Sequence, residues 1–293
     1  MSGPNEDLAG FLEENPHLIA VTLTRVRGSS PRGEGTEMFV SAEGLWGTIG
    51  GGQLEFRAIE AARRMLRDAE LIRVIDLPLG PEIGQCCGGR VEITLRRMRA
   101  SDKRAACARV REATENRPNV YILGAGHVGR GLADLFQHLP VRCILVDQRA
   151  QEVGLCSAKV EMRVSAMPEI DVAHAPKGSA FIVLTHDHGL DFLLASAALE
   201  RRDASYVGMI GSATKRAKFR SWMRENSNAE VFDDLVCPIG GNGSRDKRPH
   251  VIAAFVIAEV MAALTDKAAK AAVHSTSQTP ARGEHTDRVE ARH

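Results

Sequence analysis

Residues 119–129 read Asn-Val-Tyr-Ile-Leu-Gly-Ala-Gly-His-Val-Gly, and this stretch decides the fold. Asn119–Leu123 is a short apolar run entering a glycine turn, Gly124-Ala125-Gly126-His127-Val128-Gly129, which fits the pattern G-x-G-x-x-G. Beyond it Val128, Leu132, Leu135, Phe136 and Leu139 fall on one helical face. A second apolar run, Arg142–Val146, leads to Asp147, 23 positions after Gly124. Ala180–Leu184 and Tyr206–Ile210 are further buried-strand signals, each followed by helical pattern. Alternating strands and helices of this kind make βαβ units and a parallel, doubly wound sheet. The fold class is therefore α/β, with a C-terminal Rossmann-like parallel-sheet domain.

Residues 160–180 are weakly patterned. Residues 251–264 are apolar on nearly every side, with Glu259 the one charge, and read as a buried helix too short to cross a bilayer. The polar stretch 266–293 is expected to be a disordered tail.

Upstream the pattern differs. Residues 18–27 form a half-buried strand, 36–52 two short strands joined at Ser41–Gly44, and 71–77 and 90–95 two more. A helix starts near Gln53, with Leu54, Ala58, Ala62, Met65 and Leu66 on its apolar side. Strands dominating with one helix imply a smaller α+β domain over 1–98. Residues 99–117 are expected to be a basic helical linker before a domain at 118–265. Arg90–Arg111 holds eight basic residues against two acidic ones. A solvated helix face accounts for that, and an anionic partner accounts for it as well.

The 293 residues carry a net charge of +1, and 4% are aromatic. Neither a global field nor a stacking surface for nucleic acid follows, and no membrane segment is expected. Six scattered cysteines in a chain able to bury its own core suggest reduced thiols and a cytoplasmic protein.

Each glycine of the turn has a mechanical reason to be there: the first for a tight bend, the second for close approach to a phosphate, the third for close helix packing. The phosphate would sit on the open amides where the helix starts, beside Gly126, His127 and Gly129. Asp147 stands where a ribose hydroxyl would be held, so a nucleotide is one occupant of the turn. A turn kept as scaffold is the other reading. Thr185-His186-Asp187-His188 follows a buried strand, at the sheet edge where ligands bind. His186 there is a ligand contact, ordinary loop polarity, or, with Asp191, part of a metal site. In Gly211-Ser212-Ala213-Thr214-Lys215-Arg216 the cations Lys215 and Arg216 oppose the helix dipole and make better sense facing an anion. Ser212 is the N-cap. Cys86-Cys87-Gly88-Gly89 pairs thiols with flexible glycines, which suits a soft-metal site or sulfur chemistry, though inert buried thiols are commoner. Ser30 and Arg32, with Gly50-Gly51-Gly52, form two loops that turn chemistry explains and that anion nests would also explain.

Taken in order, GSSPRGEGTEMFV, GTIGGGQLE, CCGG, YILGAGHVG, LVDQR, THDHGLD, YVGMIGSATKR and CPIG resemble the xanthine dehydrogenase accessory proteins of the XdhC/CoxI type over roughly residues 18–265. The resemblance implies a cytoplasmic homo-oligomer, not an enzyme, that binds the molybdenum cofactor (molybdopterin). It would protect the cofactor, hold it while a cysteine desulfurase supplies sulfur, and insert it into apo-xanthine dehydrogenase. It implies a metal-binding role for Cys87, which matches the family's CGG string. Some relatives carry a cysteine after the GGG run, where this chain has Gln53. The competing reading is an NAD(P)-dependent oxidoreductase using the glycine turn, Asp147 and His186.

Overall fold

The computed structural model describes residues 4–80, 88–227, 229–241 and 246–276. Cys86 and Cys87 lie outside the described residues, as does 277–293. The chain divides into two compact units, Met1–Asn116 and Arg117–His293.

In the first unit β1 (Ile19–Arg27), β2 (Glu37–Val40), β3 (Leu45–Gly47), β4 (Ile72–Pro78) and β5 (Arg90–Arg97) form an antiparallel sheet in the order β3-β2-β1-β5-β4. Strand alternation decides what covers each face. Ile19, Val21 and Leu23 point with Ile93 and Leu95 toward helix α2 (Gly52–Arg67), which buries Leu54, Ala58, Ala62 and Met65 against them. On the other face Leu18, Ala20, Phe39 and Met98 meet Leu8 and Leu12 of α1 (Pro4–Glu14) and Ala106 of α3 (Ala100–Glu115). Lys103 Nζ of α3 donates to Leu12 O at 2.8 Å and Asn15 O at 2.7 Å, satisfying carbonyls at the end of α1. Among the described residues the unit has three helices: α2 and α3 answer to the helix expected near Gln53 and the helical segment expected at 99–117, and α1 is the addition. The side chains of α1 described as buried, Leu8 and Leu12, make too short a stripe to show as periodicity. The basic segment 99–117 contains α3, which lies within this unit.

The second unit begins with β6 (Asn119–Leu123), α4 (His127–Phe136), β7 (Arg142–Asp147), α5 (Ala150–Gly154), β8 (Glu161–Val164) and α6 (Pro168–Ala173). It continues with β9 (Ala180–Val183), α7 (His188–Glu200), β10 (Tyr206–Met209), α8 (Ala213–Asn226), β11 (Leu235–Val236) and α9 (Pro249–Thr276). All six strands are parallel, in the order β11-β10-β9-β6-β7-β8. Val120 and Ile122 face the core under α4, α5 and α9, and Tyr121 and Leu123 the core under α6, α7 and α8. The chain order reverses between β6 and β9, the place where open α/β sheets form a crevice.

Helix α9 is twice the length expected from 251–264. Past Asp266 the sequence runs Lys-Ala-Ala-Lys-Ala-Ala, strong helix formers that carry the helix to Thr276. Its stretch Pro249–Asp266 is long and apolar enough to cross a membrane by composition. Here, however, Ala253, Val256, Val260 and Leu264 pack into the sheet core. Glu259 accepts bonds from Tyr206 Oη and Gly240 N, both at 3.0 Å.

Candidate functional site

The glycine turn sits at the carboxyl end of β6, on the switch point. Gly124 has φ 132°, and a Cβ there would drive into the Leu184 carbonyl, whose carbon lies 2.7 Å from the ideal position. A Cβ on Gly129 would overlap the Gly124 carbonyl oxygen. Protein packing therefore explains both glycines. Gly126 is different: φ −66° and ψ −174° suit any residue, and among the described residues no atom beyond its chain neighbours and its own helix backbone lies within 4 Å of its absent Cβ. It caps α4 with no side-chain hydrogen bond, so the first amides of that helix have no capping partner among the described residues. His127 beside it is exposed.

Asp147 reaches the same turn from the end of β7, but its carboxylate is already engaged. Oδ2 accepts from Ala125 N at 2.7 Å and Arg149 Nη2 at 2.9 Å. Oδ1 accepts from Arg149 N at 2.9 Å and Arg149 Nε at 3.0 Å. Burial alone would raise its pKa, yet the Arg149 side chain and the two backbone donors outweigh burial and hold it below the usual carboxylate range. Four donors fill the roughly four acceptor sites of an ionised carboxyl. The ribose-holding role expected for Asp147 thus meets a group already satisfied by the protein.

Gly124, Asp147 and exposed His186 line one crevice at the ends of β6, β7 and β9, with Gln148 and Thr185. Asp187 is the N-cap of α7, accepting from Leu190 N at 2.7 Å. Asp191, one turn on, is 1% exposed; its Oδ1 accepts from Thr185 N at 2.8 Å and Thr185 Oγ1 at 2.7 Å. Its Oδ2 is paired with Lys215 Nζ. The anion that Lys215 faces is therefore internal. Ser212 caps α8 by accepting from Lys215 N at 3.3 Å. Arg216 turns toward the Phe232 ring, 4.9 Å from its centroid, with Nη2 donating to Leu235 O at 3.4 Å and Nε buried without a partner among the described residues.

In the first unit the loops around Ser30 and Gly51 come together. A Cβ on Gly50 would meet Pro31 Cγ at 2.7 Å, and Gly89 packs against the backbone of Ser29. Gly51, at φ 74°, opens α2, yet Gly51 N and Ile49 N donate to Glu55 Oε2 at 3.2 and 3.1 Å. That nest, too, holds an internal carboxylate. Ser30 Oγ is buried without a partner among the described residues, and Arg32 is exposed. Sequence reasoning missed Glu55 and Arg149 as partners. Glu55 lies four residues after the N-cap Gly51, one position beyond the capping-box spacing, so no motif marked it.

Residues 11–75 match the family described as XdhC and CoxI, and residues 120–260 match the XdhC Rossmann domain. The chain belongs to the XdhC and CoxI family. A relative of this XdhC-family chain, the uncharacterized protein YqeB of Escherichia coli (strain K12), is 26% identical over 275 residues. The match covers 87% of this chain and 45% of that protein, so the chain spans under half of that relative's length. A crystal structure described as a xanthine dehydrogenase from Bacillus halodurans aligns with a TM-score of 0.73 over 90% of this chain and 96% of that one. At 16% identity the likeness establishes a shared fold.

Proposed function

We propose that this XdhC-family chain is an accessory protein, not an enzyme, that binds the molybdenum cofactor and delivers it to apo-xanthine dehydrogenase. The observation that carries the reading is Gly126. Its missing side chain serves no packing or backbone need, and the space is what a ligand phosphate requires at a helix start. Family membership supports the choice of ligand class. When bound, the cofactor supplies the molybdenum–dithiolene centre used by the target enzyme.

The amides that open α4, at His127 and Val128, would hold the phosphate. His127 and His186, both exposed beside the turn, would flank it. Cys87, the residue matching the family's CGG string, would have a soft-metal role of its own in handling the cofactor, and the protein would work as a homo-oligomer while a cysteine desulfurase supplies sulfur. Lys215 and Asp147 build the crevice rather than bind, because each is held by a protein partner. The same engagement of Asp147 weighs against the oxidoreductase reading, which needs that carboxylate free for a ribose.

Protein purified from a host that makes the cofactor is expected to carry molybdenum and pterin and to activate apo-xanthine dehydrogenase. NADH titration is expected to show no binding below about 1 mM. Micromolar NADH binding with hydride transfer, and no molybdenum, would reverse the assignment. Full activation by Cys87→Ala would remove Cys87 from it.

A further inference from the structure

The N-terminal sheet ends in β4, whose outer edge has no partner among the described residues. The ladder on its inner side fixes which amides are free. Arg97 N donates to Leu71 O at 2.8 Å and Leu79 N to Gly89 O at 2.7 Å. With Ile72 opposite Arg96 and Pro78 opposite Arg90, the odd-numbered residues bond to β5. Ile72, Val74 and Asp76 therefore turn N–H and C=O outward. Pro78 has no N–H and ends that row.

Bare strand edges are normally blunted by charge, proline or a bulge. Here the first two outward positions are Ile72 and Val74, each 58% exposed, and Leu71 beside them is 64% exposed. Next to them a groove of about 370 Å³ is lined by Leu71 and Ile72 together with Arg96, Arg97 and Arg99. The N-terminus of α3, at Ala100, adds the positive end of a helix dipole. The groove's one acid, Asp102, is occupied: it accepts from Arg99 N at 2.8 Å and lies 3.7 Å from Arg96. Apolar side chains, free backbone hydrogen bonds and an arginine wall thus share one edge.

We propose that β4 is a docking strand for an extended, acidic segment of a partner protein, which adds as a sixth strand and lays its carboxylates against Arg96, Arg97 and Arg99. Backbone pairing would give affinity, and the arginines would select acidic over basic segments. A second copy of this chain would bring another arginine groove to this one, so charge favours the acidic partner. The inference does not rest on the cofactor assignment.

The test uses the full chain and a short fluorescein-labelled peptide of alternating valine and glutamate, with a valine–lysine peptide as control, read by anisotropy. The acidic peptide should bind, weakening steeply between about 50 mM and about 500 mM salt, while the basic one does not. Val74→Pro removes an outward N–H without touching a β4–β5 bond, and should weaken binding roughly tenfold or more at unchanged melting temperature. Arg96→Glu with Arg99→Glu should do the same, and carries the test alone should Val74→Pro unfold. Equal binding of both peptides, binding of neither, or wild-type affinity in the folded variants would overturn the proposal. So would a concentration-dependent dimer that Val74→Pro abolishes, which would give the edge to a second copy.

Discussion

Gly129→Ala is expected to destabilise the C-terminal unit by about 3 kcal/mol or more, lowering its melting temperature by roughly 10 °C. Ordinary helix propensity gives the opposite sign, since alanine inside a helix is favoured over glycine by about 1 kcal/mol. Geometry overrides propensity because the new Cβ overlaps the Gly124 carbonyl oxygen, a backbone atom. That oxygen cannot swing aside. Gly124 is itself wedged against Leu184, and its N–H donates to Val146 O at 2.8 Å. Gly131→Ala provides the contrast. Its Cβ would meet the side-chain atom His250 Nδ1 at 3.1 Å, which has room to rotate, so the change should stay within about 1 kcal/mol. Thermal melts of the two variants decide the matter: an unshifted Gly129→Ala would mean the turn is not packed as described.

Lys215→Met is expected to cost about 3–5 kcal/mol, because it strands the Asp191 carboxylate without a counter-charge. The Asp191 side chain is 1% exposed and that of Lys215 12%, so water cannot replace the lost partner. Adding Asp191→Asn to Lys215→Met should restore most of the loss. Asparagine removes the charge while keeping an acceptor oxygen for Thr185. Chemical denaturation of the two single variants and the double variant gives the coupling. A loss under about 1 kcal/mol for Lys215→Met would sink the internal pair and return Lys215 to the role of facing an external anion.

The parallel sheet was legible because its strands are continuous apolar runs, and Gly124, Gly126 and Gly129 mark the switch point. The strands of the antiparallel sheet were legible from alternation in 18–27 and 90–95. Helix α3 was legible as the helical segment 99–117, whereas α1 was not, since Leu8 and Leu12 are too few apolar contacts to print a period. The candidate site was half legible. Residue type and spacing locate positions where anions are welcome, but they do not say whose anion arrives. Asp147, Asp191 and Glu55 show the protein supplying its own, to Ala125 N, Lys215 and Gly51 N. Only a three-dimensional count of donors against acceptors separates those satisfied positions from the start of α4.

Gly126→Asp isolates that position. Aspartate is a preferred N-cap and places a carboxylate on the amides at the helix start, where a ligand phosphate would lie. Its Cβ enters open space, so the fold should be as stable as before or slightly more. The decisive measurement is the molybdenum and pterin content of this variant beside the unaltered chain, both purified from the same cofactor-producing host. A fall of roughly tenfold at an unchanged or higher melting temperature is the expected result. Undiminished molybdenum and pterin in a folded Gly126→Asp protein would contradict the placement of the phosphate at α4.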